Sequence, residues 1–220
     1  MGPAAILAGQ RHRQVDVQAE VEVIWLAGSL VGDRHLIRCR DDAGPTPGTR
    51  VDRVSGVNAA YLVVLGERAA IRWVLEQQRM AFPATPRAEV AALAAGDRLL
   101  LYATRGAWHN PTRDRGRVIG TATATSAVRA FDEPVEIAGM RFVSGCTLDV
   151  DGVVPYPGGA ELQPLVHQLA AFPKPHAWSI YLRRPLLRLT ATDVELLAGA
   201  LRPMLATRSA ALSTYPTQPS

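Results

Sequence analysis

Arg105, Arg113, Arg115 and Arg117 fall in one connection of the chain, and Asp114 is the only acid among them. Guanidinium forks grip phosphate oxygens in pairs, and such contacts hold a nucleic acid in place without reading its bases. Trp108 lies in the same polar connection beside His109 and Asn110, where packing does not obviously demand an indole. Trp178 and Ser179 follow a proline-flanked stretch, Phe172 to His176. An indole in that setting can stack on a base or close an aromatic cage on a methylated group. Tyr102 and Thr104 stand two apart, on one face of a strand, and a phenol and a hydroxyl there could meet a base edge. Met80 and Phe82, just ahead of Pro83, could supply an apolar wall. Each of these aromatics has an alternative reading as plain core, and the arginines as a solvated loop.

Other chemistries find less support. The five histidines do not cluster, and no pair has metal-ligand spacing, so neither a metal nor a cofactor is expected. There is no Gly-x-Ser-x-Gly elbow, Walker loop or dinucleotide fingerprint. Cys39 and Cys146 are too few and too far apart for a disulfide framework. No catalytic constellation stands out, and the chain reads more readily as a binding device than as an enzyme.

The elements that must position these residues centre on Gly96–Thr125. Gly96-Asp97 punctuates, Arg98 to Thr104 is an apolar strand, the basic loop follows, and Val118 to Thr125 is β-branched and threonine-rich. Upstream, Tyr61 to Leu65 reads as a strand. Ile71, Val74, Leu75 and Gln78 mark one side of an amphipathic helix over 68–79. Thr85-Pro86 predicts a helix through Val90 and Leu93 that ends at Gly96. Downstream, Val135 to Phe142 reads as a tight hairpin and Cys146 to Val154 as a strand. Leu162, Leu165, Val166 and Leu169 suit a short helix. A capping box over Thr190–Asp193 starts the last helix, with Val194, Leu197, Ala198, Leu201 and Leu205 on one face. The order β-α-α-β-β-β-β-β-α-β-α is not a doubly wound alternation. It suits an α+β mixed β-barrel decorated with helices.

Domain limits follow from the same pass. Residues 1–57 read as an N-terminal extension, weakly folded or a linker, although Val21 and Val23 alternate with glutamates. Residues 58–206 form the compact domain, and 207–220 are expected to be a disordered tail. With 24 basic residues against 20 acidic, the net charge is +4, and every basic residue but Lys174 is arginine. That bias mostly reflects a GC-rich coding genome, as in many bacteria, and leaves a weakly positive field that tolerates polyanions. No apolar run approaches the ~20 residues that cross a bilayer, so the expected setting is a reducing cytoplasm without membrane partners.

Taken as an ordered set, these segments resemble the EVE domain, a PUA-like fold related to the YTH and ASCH domains. Tyr61-Leu62-Val63-Val64 is similar to the opening strand, and Met80-Ala81-Phe82-Pro83 stands where the family has a short aromatic-bearing segment. Gly96-Asp97 leads to the strand ending at Tyr102, Val118-Ile119-Gly120 is similar to the returning strand, and Leu162 to Phe172 with Trp178-Ser179 fits the closing section. The likeness covers about residues 60–205. It implies a PUA-like barrel with a concave pocket and recognition of a modified base in DNA or RNA. Trp178 and Ser179 would then sit at the pocket, Tyr102 and Thr104 on its floor, and the Trp108 to Arg117 loop at its flank. Many relatives carry a tryptophan where this chain offers Met80 and Phe82. The alternative is a small ASCH-like amidohydrolase acting on a modified nucleoside, with Lys174 as its lysine and Thr104 and Glu67 as companions.

Overall fold

The computed structural model describes residues 58–216. The expected extension over 1–57, with its Val21/Val23 alternation, lies outside the described residues. The architecture is α+β: one mixed, curled sheet of eight strands with helices packed on it.

Two strands at the centre are apolar over nearly their whole length. β1 (Ala60–Leu65) and β3 (Arg98–Ala103) pair in parallel, and almost every side chain in them is buried. Strands covered on both faces read as continuous apolar runs, and Tyr-Leu-Val-Val-Leu and Leu-Leu-Leu-Tyr-Ala do so. The crossover between them carries α1 (Arg68–Gln77), β2 (Arg79–Phe82) and the short α2 (Ala88–Ala91). Helix α1 buries Ala70, Ile71, Val74 and Leu75 along one side and stops where Gln78 turns left-handed at φ 49°.

β4 (Arg117–Ala124) returns antiparallel to β3, with a bulge that skips Ile119 opposite Leu101 and Tyr102. The long β6 (Met140–Val153) pairs first with β5 (Arg129–Ile137) and β2, then with β4. Ala138 and Gly139, at φ 52° and 73°, form the tight turn between β5 and β6, where the sequence places a hairpin. β7 (Ala160–Glu161) pairs with the start of β4, and β8 (Leu186–Leu189) closes antiparallel on β1. The last long helix, α3 (Ala191–Leu201), begins with both bonds of the expected capping box.

Alternation along the strands sends side chains to two cores. Tyr61, Val63, Leu65, Leu99, Leu101 and Ile119 face α1, β2 and Tyr215. Leu62, Val64, Leu100, Tyr102 and Val118 face the other way, toward Leu162, Phe172, Leu197 and Leu201. Among the described residues no helix is long and apolar enough to cross a membrane.

Two expectations differ, and the structure places one strand that the element order left without bounds. The helix begun at Thr85-Pro86 shrinks to α2, because the Asp97 carboxylate takes Ala94 N and Ala59 N at 2.9 Å each and ties that connection to β1. The strand that the element order puts before the last helix is Leu186–Leu189, and the segment ahead of it, Pro175–Arg183, is 3-10 turns. The expected disordered tail is ordered as far as it is described: α4 (Arg208–Leu212) packs inward, and Tyr215 is buried with its hydroxyl donating to Val154 O at 2.8 Å. A tail with few apolar residues gave no periodic signal, but one tyrosine and a Thr207 cap suffice to dock it.

Candidate nucleic-acid interface

Parallel β1 and β3 end side by side, with Thr104 N bonded to Leu65 O at 3.0 Å. β4 begins at that same end, since Ala103 pairs with Arg117, and so does β8, since Val64 N bonds to Pro185 O at 2.9 Å. One end of the sheet thus collects Thr104, the Arg105–Arg117 connection and, across β1, the exposed Arg183 and Arg184.

The basic loop is built from short-range bonds. Asn110 Oδ1 accepts from Thr112 Oγ1 at 2.9 Å and from Arg113 N at 3.3 Å, a side-chain-closed turn ahead of the arginines. His109 sits at φ 60°, in the left-handed region that costs a non-glycine residue free energy. Its Nε2 lies 3.0 and 2.9 Å from the two carboxylate oxygens of Glu67, which follows β1. Because a carboxylate only accepts, that nitrogen carries the proton.

Trp108 anchors the loop from below. Its ring centroid is 4.7 Å from Tyr156 and 5.7 Å from Tyr215, and these two rings are 6.1 Å apart. Rings this close fill the space between themselves and leave no slot for a guest.

The four loop cations differ in their commitments. Arg113 donates to both Asp114 oxygens, at 2.7 and 3.1 Å, and to Tyr156 Oη at 3.1 Å. Arg117 donates to Glu161 Oε1 and to Pro157 O, at 2.9 Å each. Among the described residues Arg115, which is exposed, reaches only the carbonyls of Arg113 and Asp114, at 3.4 and 3.3 Å. Arg105 is half-buried at the start of the loop.

The candidate pocket residues fall on both sides of the sheet. Tyr102 belongs to the core of one face, and Trp178 packs, half-exposed, on that same core with its ring edge-on to Phe172 at 6.3 Å. Ser179 follows it, also half-exposed. Met80 and Phe82 are buried in the core of the opposite face, and Trp108 packs against that core too. The seven therefore do not share one wall: Met80 and Phe82 fill β2 positions that point into the core beneath α1. Lys174 is exposed ahead of the 3-10 turns, while Glu67 is engaged by His109.

Sequence reasoning missed Tyr156, Tyr215 and Gly116. A β-carbon at Gly116 would collide with the Tyr102 hydroxyl. A glycine between two arginines was the available signal for this last feature.

Fold and loop together define an α+β protein with a guanidinium-rich rim at one end of a mixed sheet. The chain matches no protein-family model and no curated protein. Among solved structures it is similar to human THYN1, solved in complex with 5-methylcytosine-containing DNA, at 10% identity and a TM-score of 0.41, covering 74% of this chain and 100% of that one. Rpa0253 from Rhodopseudomonas palustris is similar at 18% identity and a TM-score of 0.39, over 64% of this chain and 92% of that one. PSPTO5229 from Pseudomonas syringae is similar at 11% identity and a TM-score of 0.38, over 65% and 100%. At these scores they stand as partial likenesses, and the reading of the site rests on this chain's own residues.

Proposed function

We propose that the protein is a non-enzymatic binding module for a modified nucleobase carried in DNA or RNA. The observation that carries the reading is the convergence of Arg105, Arg113, Arg115, Arg117, Arg183 and Arg184 on the sheet end where β1 and β3 stop. Cations clustered on rigid ground suit a phosphate backbone. The half-exposed Trp178, with Ser179 beside it, offers the stacking surface, and Thr104 and Tyr102 lie toward the same end. Met80, Phe82 and Trp108 support the sheet and the loop in this reading and do not touch the base. The resemblance of residues 60–205 to EVE domains points to the same class of ligand.

The test is fluorescence anisotropy with short oligonucleotides bearing 5-methylcytosine, N6-methyladenine or only ordinary bases. One modified strand should bind more tightly than its ordinary counterpart. Trp178→Ala should weaken that binding by roughly 5- to 150-fold, the ~1–3 kcal/mol of one stacked base. Equal affinity for modified and ordinary strands would overturn the proposal, as would turnover of an N4-acylated cytidine that disappears in Lys174→Ala.

A further inference from the structure

Glu67 and His109 are 42 residues apart in the chain and meet where β1 ends. The backbone of Glu67 is fixed, since it is the N-cap residue of α1 and its carbonyl accepts from Ile71 N at 3.0 Å. Its side chain caps nothing on the helix, and both carboxylate oxygens go to His109 Nε2 instead. The contact forms in either charge state of the ring, because Nε2–H donates from the neutral tautomer and from the imidazolium alike.

Stability does not account for this pair. His109 holds a left-handed backbone that a glycine would adopt freely. Its side chain is 54% exposed and that of Glu67 26%, and an ion pair open to water adds little. Glu67 also sets an acid beside a rim of guanidinium groups, where by itself it would repel a phosphate. The position of the pair supplies the reason. Residues up to Trp108 are anchored: Thr104 N bonds to Leu65 O, Ala107 N bonds to Thr104 O at 3.2 Å, and the Trp108 ring packs on Tyr156 and Tyr215. From Asn110 onward the chain carries Arg113 and Arg115 on turns that Asn110 closes within the loop. His109 is the joint between these two halves.

We propose that Glu67 and His109 form a latch, a pair of positioning residues that fixes the direction in which the arginine loop leaves its Trp108 anchor and so holds its cations ready for phosphate. The inference rests on the nucleic-acid-binding reading above and adds the device that orders its rim. A loop that is already ordered loses less freedom on contact, which is how pre-organisation raises affinity. The latch does not touch the ligand, so it changes how tightly phosphate is held and not how many phosphates are met.

The experiment compares wild type, Glu67→Ala, His109→Gly, the double variant and Arg115→Gln on modified and ordinary oligonucleotides over a range of salt. Melting temperature and tryptic cleavage after Arg115, read by mass, are measured alongside. Charge alone predicts tighter binding by Glu67→Ala, because an acid leaves the rim. The latch predicts the reverse: binding weaker by roughly 2- to 10-fold, the range for ordering one flexible side chain at an interface. The salt slope and melting temperature should stay as in wild type, while cleavage after Arg115 speeds up. In the His109→Gly background Glu67→Ala should weaken binding no further, since its partner is already gone. Arg115→Gln should instead flatten the salt slope. A wild type that prefers no modified strand defeats the base-binding reading itself, and this inference with it. A wild type that discriminates, with Glu67→Ala binding as tightly as wild type or more so, defeats this inference alone. A clear fall in melting temperature for Glu67→Ala also defeats it, because the pair would then hold the fold and not the loop.

Discussion

Single atoms separate support from recognition at this site. Trp108 and Trp178 look alike in the sequence, each beside polar residues, yet one is locked among Tyr156 and Tyr215 and the other lies at the rim of a core. Trp108→Ala should lower stability by about 1–3 kcal/mol in urea unfolding, because it removes much of a ring cluster, whereas Trp178→Ala should act mainly on binding. Gly116→Ala presses a methyl group onto the Tyr102 hydroxyl and should cost about 1–3 kcal/mol, read in the same assay. Cys146 offers a third check. Burial pushes its thiol up to about 11, so in a Cys39→Ser background it should react with a disulfide reagent at pH 8 far more slowly than free cysteine. Rapid labelling of the folded chain would contradict its place in the core.

At the scale of elements, the C-terminal segment does more than its composition suggests. Helix α4 and Tyr215 tie three parts together: Arg208 donates to Leu75 O at 2.8 Å, Arg72 donates to Tyr215 O at 3.2 Å, and Tyr215 donates to Val154 O. Deleting residues 207–220 should destabilise the chain by about 3–5 kcal/mol, the range for losing a large buried aromatic, and should loosen the Trp108 loop as well. A truncated chain with unchanged thermal stability would show that the segment does not dock. On β6, Asp151 is raised above its ordinary carboxylate range, first by desolvation and then by Asp149. The native state then binds that proton more tightly than the unfolded chain does. Stability is lost as pH rises through the raised value and regained as pH falls. Asp151→Asn should therefore raise the melting temperature at neutral pH, with the gain fading in acid.

Among the described residues Arg105, Arg113, Arg115, Arg117, Arg183 and Arg184 gather at one end of the sheet, whereas β5 and β6 mix the acids Asp132, Glu133, Glu136, Asp149 and Asp151 with Arg129 and Arg141. The cations at that end can orient a polyanion toward the loop. Binding to duplex DNA should weaken as salt rises, with a logarithmic slope near −0.9 for each phosphate neutralised. Arg115→Gln should reduce that slope by about one, and Arg113→Gln, whose native cation is already held by Asp114, should change it less while disturbing the loop. Equal slopes in all three proteins would mean that the rim does not meet phosphate.

Local signals were enough for much of this fold. The Ala138-Gly139 turn, the Thr190–Asp193 capping box, the face of α1 and the apolar runs of β1 and β3 each depend on residues a few positions apart, so the sequence alone determined them. Pairing partners come from far along the chain, and they had to be decided in three dimensions. β2 is short and reads as a loop until β6 pairs with it, and Pro175–Arg183 could be extended or turned until Phe172 receives Trp178 and Tyr181. The candidate site shows the same division. That four arginines and one indole, Trp108, share a loop is written in the sequence. Which side of the sheet each ring occupies follows from strand alternation and one bulge, and that tertiary choice set Tyr102 with Trp178 and sent Met80, Phe82 and Trp108 to the other core.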